Sequence, residues 1–203
     1  MPISAAPRAL PIFRSPEQAA ILTQLYLNSE RSWEFSELAG IGARATVDRE
    51  LRRLLTSGLV TVERAGRTRL FRAPVDSPLF EPLRQLLERS FGAEVQLREG
   101  WAGRADVEAA AIFGSWARGE AGPSSDIDLL VIGTATQDRL ETDLRPVSKS
   151  AGREINLVTF PRNELRRRLD AGSGFLRAIL EGPLIALVGD VRGSAGQVDA
   201  VVS

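Results

Sequence analysis

Phe113-Gly114-Ser115-Trp116-Ala117-Arg118-Gly119, followed by Ser125-Asp126-Ile127-Asp128-Leu129-Leu130-Val131-Ile132-Gly133, is the stretch that decides the fold. Its second part reads as a buried strand, by its length, its β-branched content and its stop at Gly133. Strand side chains alternate, so Asp126 and Asp128 share one face while Ile127 and Leu129 point to the other. Two adjacent carboxylates repel each other unless a cation lies between them, which predicts a divalent metal site. Upstream, Val107 to Phe113 predicts a short apolar strand that runs straight into Gly114-Ser115. Gly114 lets the backbone approach an anion, and Ser115 offers a hydroxyl and an N–H where the chain turns into a helix. A phosphate cradle facing a paired-carboxylate metal site suits phosphoryl or nucleotidyl transfer from an NTP. An isolated Asp-x-Asp also occurs in surface loops and structural Ca²⁺ sites. The buried strand and the Gly-Ser turn at this spacing favour the nucleotide reading.

Composition narrows the chemistry further. With no cysteine and no histidine, thiolate, imidazole and disulfide chemistry are excluded, and metal ligands must be oxygens. That favours Mg²⁺, with Mn²⁺ or Ca²⁺ as alternatives. Lys149 is the only lysine, and the net charge is zero, so basic character has to be local and carried by arginine. No apolar run approaches the roughly 18 residues that span a bilayer. Met1 to Arg8 lacks a basic segment followed by an apolar core, so no membrane partner is expected and the cytoplasm is the expected compartment.

The first half supplies the local basic patch. Ser15-Pro16-Glu17-Gln18 opens a helix with a serine cap, and Gln18 stands where it can close a capping box. Ile21, Leu22, Leu25 and Leu27 form its buried side. A short helix is expected over Phe35 to Leu38, ended by Gly40 and Gly42, and a third over about Ala45 to Ser57, stopped by Gly58. In the third, Val47, Leu51, Leu54 and Leu55 make one apolar face. The opposite face carries Thr46, Arg49 and Arg53, with Arg52 beside them. Leu59 to Arg64 and Arg67 to Ala73 then read as a hairpin turning at Ala65-Gly66. Three helices followed by a basic hairpin is the order of a winged helix-turn-helix. Eight arginines between Arg44 and Arg72 face only Asp48, Glu50 and Glu63, the electrostatic footprint of DNA binding. Arg44, Thr46, Arg49, Arg52, Arg53, Arg67 and Arg69 are the candidate DNA contacts. The competing reading is a solvated face with Asp48–Arg52 or Glu50–Arg53 helix pairs, or a module that binds a protein instead. Ser77-Pro78 begins an amphipathic segment with Leu79, Phe80, Leu83, Leu86 and Leu87 on one side, its regular helix delayed by Pro82. It serves either as a connector or as a homodimer contact.

Gly114-Ser115, ten intervening residues and Asp126-Ile127-Asp128 resemble the signature of the polymerase-β nucleotidyltransferase superfamily. The likeness is strongest to its minimal (MNT-type) branch. From Ile12 to Asp190 the chain resembles proteins that join an ArsR-like winged helix to such a domain; Gly152-Arg153-Glu154-Ile155-Asn156 and Gly182-Pro183-Leu184-Ile185…Gly189-Asp190 also fit that group. The resemblance implies that Gly114 and Ser115 hold the triphosphate and that Asp126 and Asp128 bind Mg²⁺. It also implies that a third carboxylate on a later strand completes the site. Glu154 fills that role by chemistry, and Asn156 stands in its place by position before Leu157-Val158; Glu154 is taken as the third catalytic and metal-binding residue. Arg118 either contacts phosphate or pairs with Glu120, and Trp116 either stacks on a base or packs in the core. The implied substrate is ATP or another NTP, and the implied acceptor a protein or RNA hydroxyl. The same family implies a HEPN-type partner in a toxin–antitoxin pair. The alternative is a transcriptional regulator whose nucleotidyltransferase domain senses nucleotide without catalysis.

The expected fold class is therefore α/β (α+β) in two domains. A winged helix covers 10–75 and a connecting helix 76–92. A nucleotidyltransferase domain, a mixed sheet flanked by helices, covers 93–190. Within it Gln137–Ser148, a basic helix over Pro161–Leu169 (Arg162, Arg166, Arg167 and Arg168) and Phe175–Leu180 read as helices. Glu154–Phe160 and Leu184–Val188 read as strands. The Gly-, Ala- and Ser-rich stretch 191–203 reads as a disordered tail.

Overall fold

The computed structural model describes residues 12–122 and 125–196. The chain divides into two compact units, Met1–Val95 with Ser150–Gly152, and Gln96–Lys149 with Arg153–Ser203. No helix among the described residues is long and apolar enough to cross a membrane.

In the first unit, α1 (Pro16–Leu27) starts where Ser15 Oγ accepts the Gln18 N–H at 3.1 Å. The Gln18 side chain accepts the N–H of Arg14 at 3.0 Å, one residue further out than a capping box needs. Ile21, Leu22 and Leu25 are buried; Tyr26, and not Leu27, completes the inner face. Tyr26 donates its hydroxyl to the Leu59 carbonyl at 2.9 Å and stacks on Phe80 at 5.4 Å, so a polar tip is satisfied inside an apolar core. β1 (Trp33–Glu34) is too short for alternation to reveal in the sequence. α2 (Phe35–Leu38) continues as a 3₁₀ turn over Ala39–Ile41, and α3 spans Arg44–Thr56.

Val47, Leu51 and Leu54 of α3 are buried, and so is Glu50 at 2% exposure. β2 (Thr61–Ala65) and β3 (Thr68–Arg72) pair with Ala65 opposite Thr68. The turn is therefore Gly66-Arg67, one residue later than expected, because Gly66 takes the left-handed conformation at φ +62°. The sheet runs β1-β3-β2. α4 (Phe80–Phe91) begins before Pro82, contrary to the expected delay. Proline is tolerated there because first-turn N–H groups have no intrahelical acceptor. Leu87 is fully buried, and Phe80, Leu83 and Phe91 pack on the same core. This inner side of α4 is used within the unit.

α5 (Ala93–Trp101), which the sequence reading passed over, leads into the second unit with Ala93, Leu97 and Trp101 buried at i, i+4 and i+8. Next come β4 (Val107–Phe113), α6 (Gly114–Ala117), β5 (Ile127–Gly133), α7 (Gln137–Ala151) and β6 (Ile155–Phe160). α8 (Arg162–Asp170), α9 (Gly174–Glu181), β7 (Ile185–Val188) and α10 (Val191–Ala195) complete the unit. The sheet order is β6-β5-β4-β7, with β5 parallel to β6 and antiparallel to β4, and β7 antiparallel to β4. The sheet is mixed, as expected.

Leu130 and Ile132 of β5 pack with Leu165, Leu176, Ile179 and Leu180 of the helices. Burying each such side chain contributes about 1.5–3 kcal/mol, which is why β5 is apolar on both faces. The expected tail needs correction. Val191, Ser194 and Ala195 are buried in α10, capped by the Asp190 side chain, and Ser194 donates to Glu108 at 2.7 Å. The rest of that expectation, 197–203, lies outside the described residues.

Candidate active site

The site forms where β4 ends and β5 begins. Antiparallel pairing sets Phe113 opposite Asp128, so the corner that follows Phe113 meets the first carboxylate inside the β5 ladder. Gly114 adopts φ +72°, and a Cβ placed on it would overlap the Asp128 Oδ2 atom. Only glycine allows this approach without strain. α6 carries Gly114-Ser115-Trp116-Ala117 as a single turn, and the Ser115 carbonyl accepts the Glu120 N–H at 2.9 Å. Asp126 lies just outside the ladder and is exposed, Ile127 is fully buried between the two acids, and Asp128 is half-buried. Asp128 therefore stands against the Gly-Ser corner, with Asp126 two residues before it at the entrance to the strand.

The third position is different. Parallel pairing sets Asp128 beside Asn156, whose Nδ2 donates to Asp128 Oδ1 at 3.1 Å. Glu154 precedes β6, is exposed, and its carbonyl accepts the Ile127 N–H at 2.9 Å. Among the described residues no group of three or more His, Cys, Asp or Glu stands close enough to hold a metal ion. The structure brings Asp128 to the Gly-Ser corner, and Asp126, Asp128 and Glu154 do not form a three-carboxylate cluster. Two carboxylates still fit Mg²⁺, which is commonly held by one or two acidic side chains with phosphate oxygens and water completing the shell.

The ambiguous residues of the corner have partners. Arg118 Nε donates to Glu120 Oε2 at 2.7 Å, the pairing reading, with both side chains well exposed. Such a pair is weak in water and leaves Arg118 able to turn toward an anion. Trp116 is partly buried, and the Arg153 guanidinium lies 4.6 Å from its ring centroid. Arg153 Nη1 also donates to the carbonyls of Gly122 at 2.8 Å and Ser125 at 2.9 Å. The sequence reading gave Arg153 no role. Two backbone carbonyls and a ring are contacts that leave no spacing signature.

In the first unit, α3 shows the helix pairs weighed from the sequence. Arg52 meets Asp48 at 2.6 Å and Arg53 meets the buried Glu50 at 2.6 Å, with Arg49 at 3.7 Å from the same carboxylate. Arg69 reaches Asp48 at 3.8 Å, and Arg44 lies over the Phe35 ring at 5.0 Å. Thr46 is half-buried and Arg67 is exposed in the hairpin turn. On α8, Arg167 and Arg168 both pair with Glu164, and Arg162 reaches Glu108 at 3.0 Å. A shallow groove of about 660 Å³ lined by Thr134, Arg162, Asn163 and Arg166 opens at the far ends of β5 and β6, away from Asp128. The chemistry is read from the carboxylates, because the groove holds no paired acids or Gly-Ser corner.

Residues 95–181 match the family model of the nucleotidyltransferase domain, a segment that contains every corner and carboxylate residue placed above. The chain carries a nucleotidyltransferase domain over that segment. Among solved structures, one described as the crystal structure of the toxin-antitoxin with AMP-PNP is 16% identical, with a TM-score of 0.36. The likeness covers 50% of this chain and 75% of that one. Comparison with curated proteins gives no match.

Proposed function

We propose that the second unit binds a nucleoside triphosphate with Mg²⁺ and transfers its nucleotidyl group, AMP from ATP, to a hydroxyl of a protein or RNA. The observation that carries this reading is the Asp128 carboxylate set against the Cβ-free Gly114, with Asp126 two residues before it in the chain. Gly114 and Ser115 hold the triphosphate, Asp126 and Asp128 hold the cation, and Arg118 swings from Glu120 to phosphate. Bound Mg²⁺ supplies neutralisation of the triphosphate and a lowered pKa for the attacking hydroxyl. The acceptor oxygen bonds to the α-phosphorus as the bond from that phosphorus to the bridging oxygen breaks, and pyrophosphate leaves. Glu154, next to the site in sequence, accepts the hydroxyl proton once substrate draws it in. The first unit is read as a winged helix-turn-helix that places Arg49, Arg52 and Arg53 on DNA, with Arg67 and Arg69 along the phosphates. A HEPN-type toxin is the protein acceptor that the motif resemblance suggests.

A second reading is favoured by one contact. Asn156 donates an amide hydrogen to Asp128 where a third acid would strengthen the site, which suits a nucleotide sensor with little turnover. Incubation with ATP labelled at the α-phosphate, Mg²⁺ and candidate acceptors separates the two. Transfer of label that disappears in Asp126→Ala and Asp128→Ala supports the enzyme. DNA binding that responds to ATP with no transfer supports the sensor. Replacing Arg49 and Arg53 by alanine removes salt-sensitive DNA binding if α3 reads DNA, and unchanged binding removes that role.

A further inference from the structure

We propose that Arg153 is a positioning residue for the nucleotide site: it holds the carbonyls of Gly122 and of Ser125, the residue that delivers Asp126, and ties them to Trp116 of the Gly-Ser corner. The proposal rests on the nucleotide reading for its consequence, though not for its geometry.

The β5 ladder begins at Ile127, so Asp126 takes its direction from the residue before it. That residue, Ser125, has its carbonyl held by Arg153 Nη1 at 2.9 Å, and the same nitrogen holds the Gly122 carbonyl at 2.8 Å. Gly122 N–H also donates to Ser125 Oγ at 2.9 Å and Ser125 N–H to the Gly122 carbonyl at 3.2 Å, which joins these two residues to each other. Arg153 joins both to the segment that leads into β6. Its root is anchored, since its N–H donates to the Ser148 carbonyl at 3.2 Å and its carbonyl accepts the Ser148 hydroxyl at 2.6 Å. The next carbonyl, of Glu154, takes the Ile127 N–H. The arginine thus stands just before β6, the strand beside Asp128, reaches across to Gly122 and Ser125, and brings its guanidinium to 4.6 Å from the Trp116 ring centroid.

Three parts of the site, the corner, the residue before Asp126 and the approach to β6, meet in one arginine. One nitrogen serves both carbonyls, so what lysine loses is reach and a planar face: its shorter side chain stops short of the Nη1 position and has no surface to set against the indole. Functional groups that bind a metal–nucleotide must be held within about 0.5 Å, which a free segment outside the ladder does not provide.

The test uses the full chain and four proteins: wild type, Arg153→Lys, Asp126→Asn and the double variant, titrated with Mg²⁺–ATP by calorimetry. Arg153→Lys is expected to weaken binding by about tenfold or more, and the double variant to bind no worse than about twofold below Asp126→Asn alone. A Kd for Arg153→Lys within about twofold of wild type, or effects of the two substitutions that simply multiply, overturns the proposal. Amide hydrogen exchange supplies a readout independent of nucleotide. Peptides covering 118–127 are expected to exchange faster in Arg153→Lys while those covering 107–113 stay unchanged; equal exchange overturns the clamp. If wild type binds no Mg²⁺–ATP, the nucleotide reading fails, and the exchange result alone decides the clamp. Arg153→Met keeps the aliphatic stem, removes both carbonyl bonds and serves if Arg153→Lys does not fold: it is expected to speed exchange in the same peptides, and unchanged exchange overturns the clamp.

Discussion

At the scale of single residues, the site depends on an atom that is missing. Gly114 has no Cβ, and the Asp128 carboxylate occupies the space one would fill. Gly114→Ala therefore meets two penalties, a left-handed backbone worth about 1–3 kcal/mol and an overlap with Asp128. The expected outcome is a lower melting temperature together with loss of Mg²⁺–ATP binding, read by calorimetry; a stable variant with wild-type binding contradicts the geometry. Asn156 offers the complementary test. Asn156→Asp replaces an amide donor by a second negative charge beside Asp128, and like charges so placed repel. In EDTA the variant is expected to melt below wild type, and added Mg²⁺ is expected to raise its melting temperature more than it raises that of wild type. The approach of the Gly-Ser corner to Asp128 was legible in sequence, because the spacing of the two motifs implies it. For the third position the sequence offered Asn156 by place and Glu154 by chemistry, and neither strand alone decides between them, because register is set by pairing; pairing sets Asn156 beside Asp128. Arg153 left no mark because it holds carbonyls, which every residue has.

Elements bring the argument to pairing and caps. Arg104 makes a two-bond fork to Asp106, at 2.8 and 2.7 Å, and also bonds Asp143 of α7. Asp106 stands just before β4, and its carbonyl accepts the N–H groups of Thr134 and Ala135 after β5, both at 3.0 Å. The hydrogen bond from Arg104 holds the Asp106 carboxyl at about 2, below its ordinary 3.8. Because the folded value is the lower one, this contribution is intact above about pH 4 and is lost as pH falls through about 2. Acid unfolding followed by circular dichroism is expected to show that dependence, and Arg104→Gln to flatten it. α10 is tested by Val191→Asp, which puts a charge into the core shared with Ala109 and Leu130. A loss of at least about 2 kcal/mol in urea unfolding is expected, and an unchanged midpoint means α10 does not pack there. This helix escaped the sequence reading because five residues, Val191 to Ala195, are too few to show a period. α5 was readable, since Ala93, Leu97 and Trp101 recur at helical spacing, and went unread because no cap announces it. The hairpin was found, but its turn was displaced by one residue, since only the φ of Gly66 tells which pair lies at the tip.

For the molecule as a whole, the buried residues fall into separate cores. One gathers Tyr26, Leu51, Phe71 and Leu87, and another Ala109, Leu130, Leu165 and Leu180. Calorimetry is expected to resolve two unfolding transitions, of which Mg²⁺–ATP raises only the one belonging to the nucleotidyltransferase domain. At a hundred times its Kd the ligand adds about 2.7 kcal/mol to that unit. A uniform shift of both transitions contradicts independent cores. The second core also has a timetable. β4 waits for β7, which pairs Ile185 with Ile112 across roughly seventy intervening residues, some 4–15 s of synthesis at ribosomal speed. During that interval a nascent chain already holding β4 and β5 offers an unclosed, alanine-lined flank to its neighbours on the polysome. Crowded translation of this gene therefore favours chaperone capture at that flank until β7 pairs with β4.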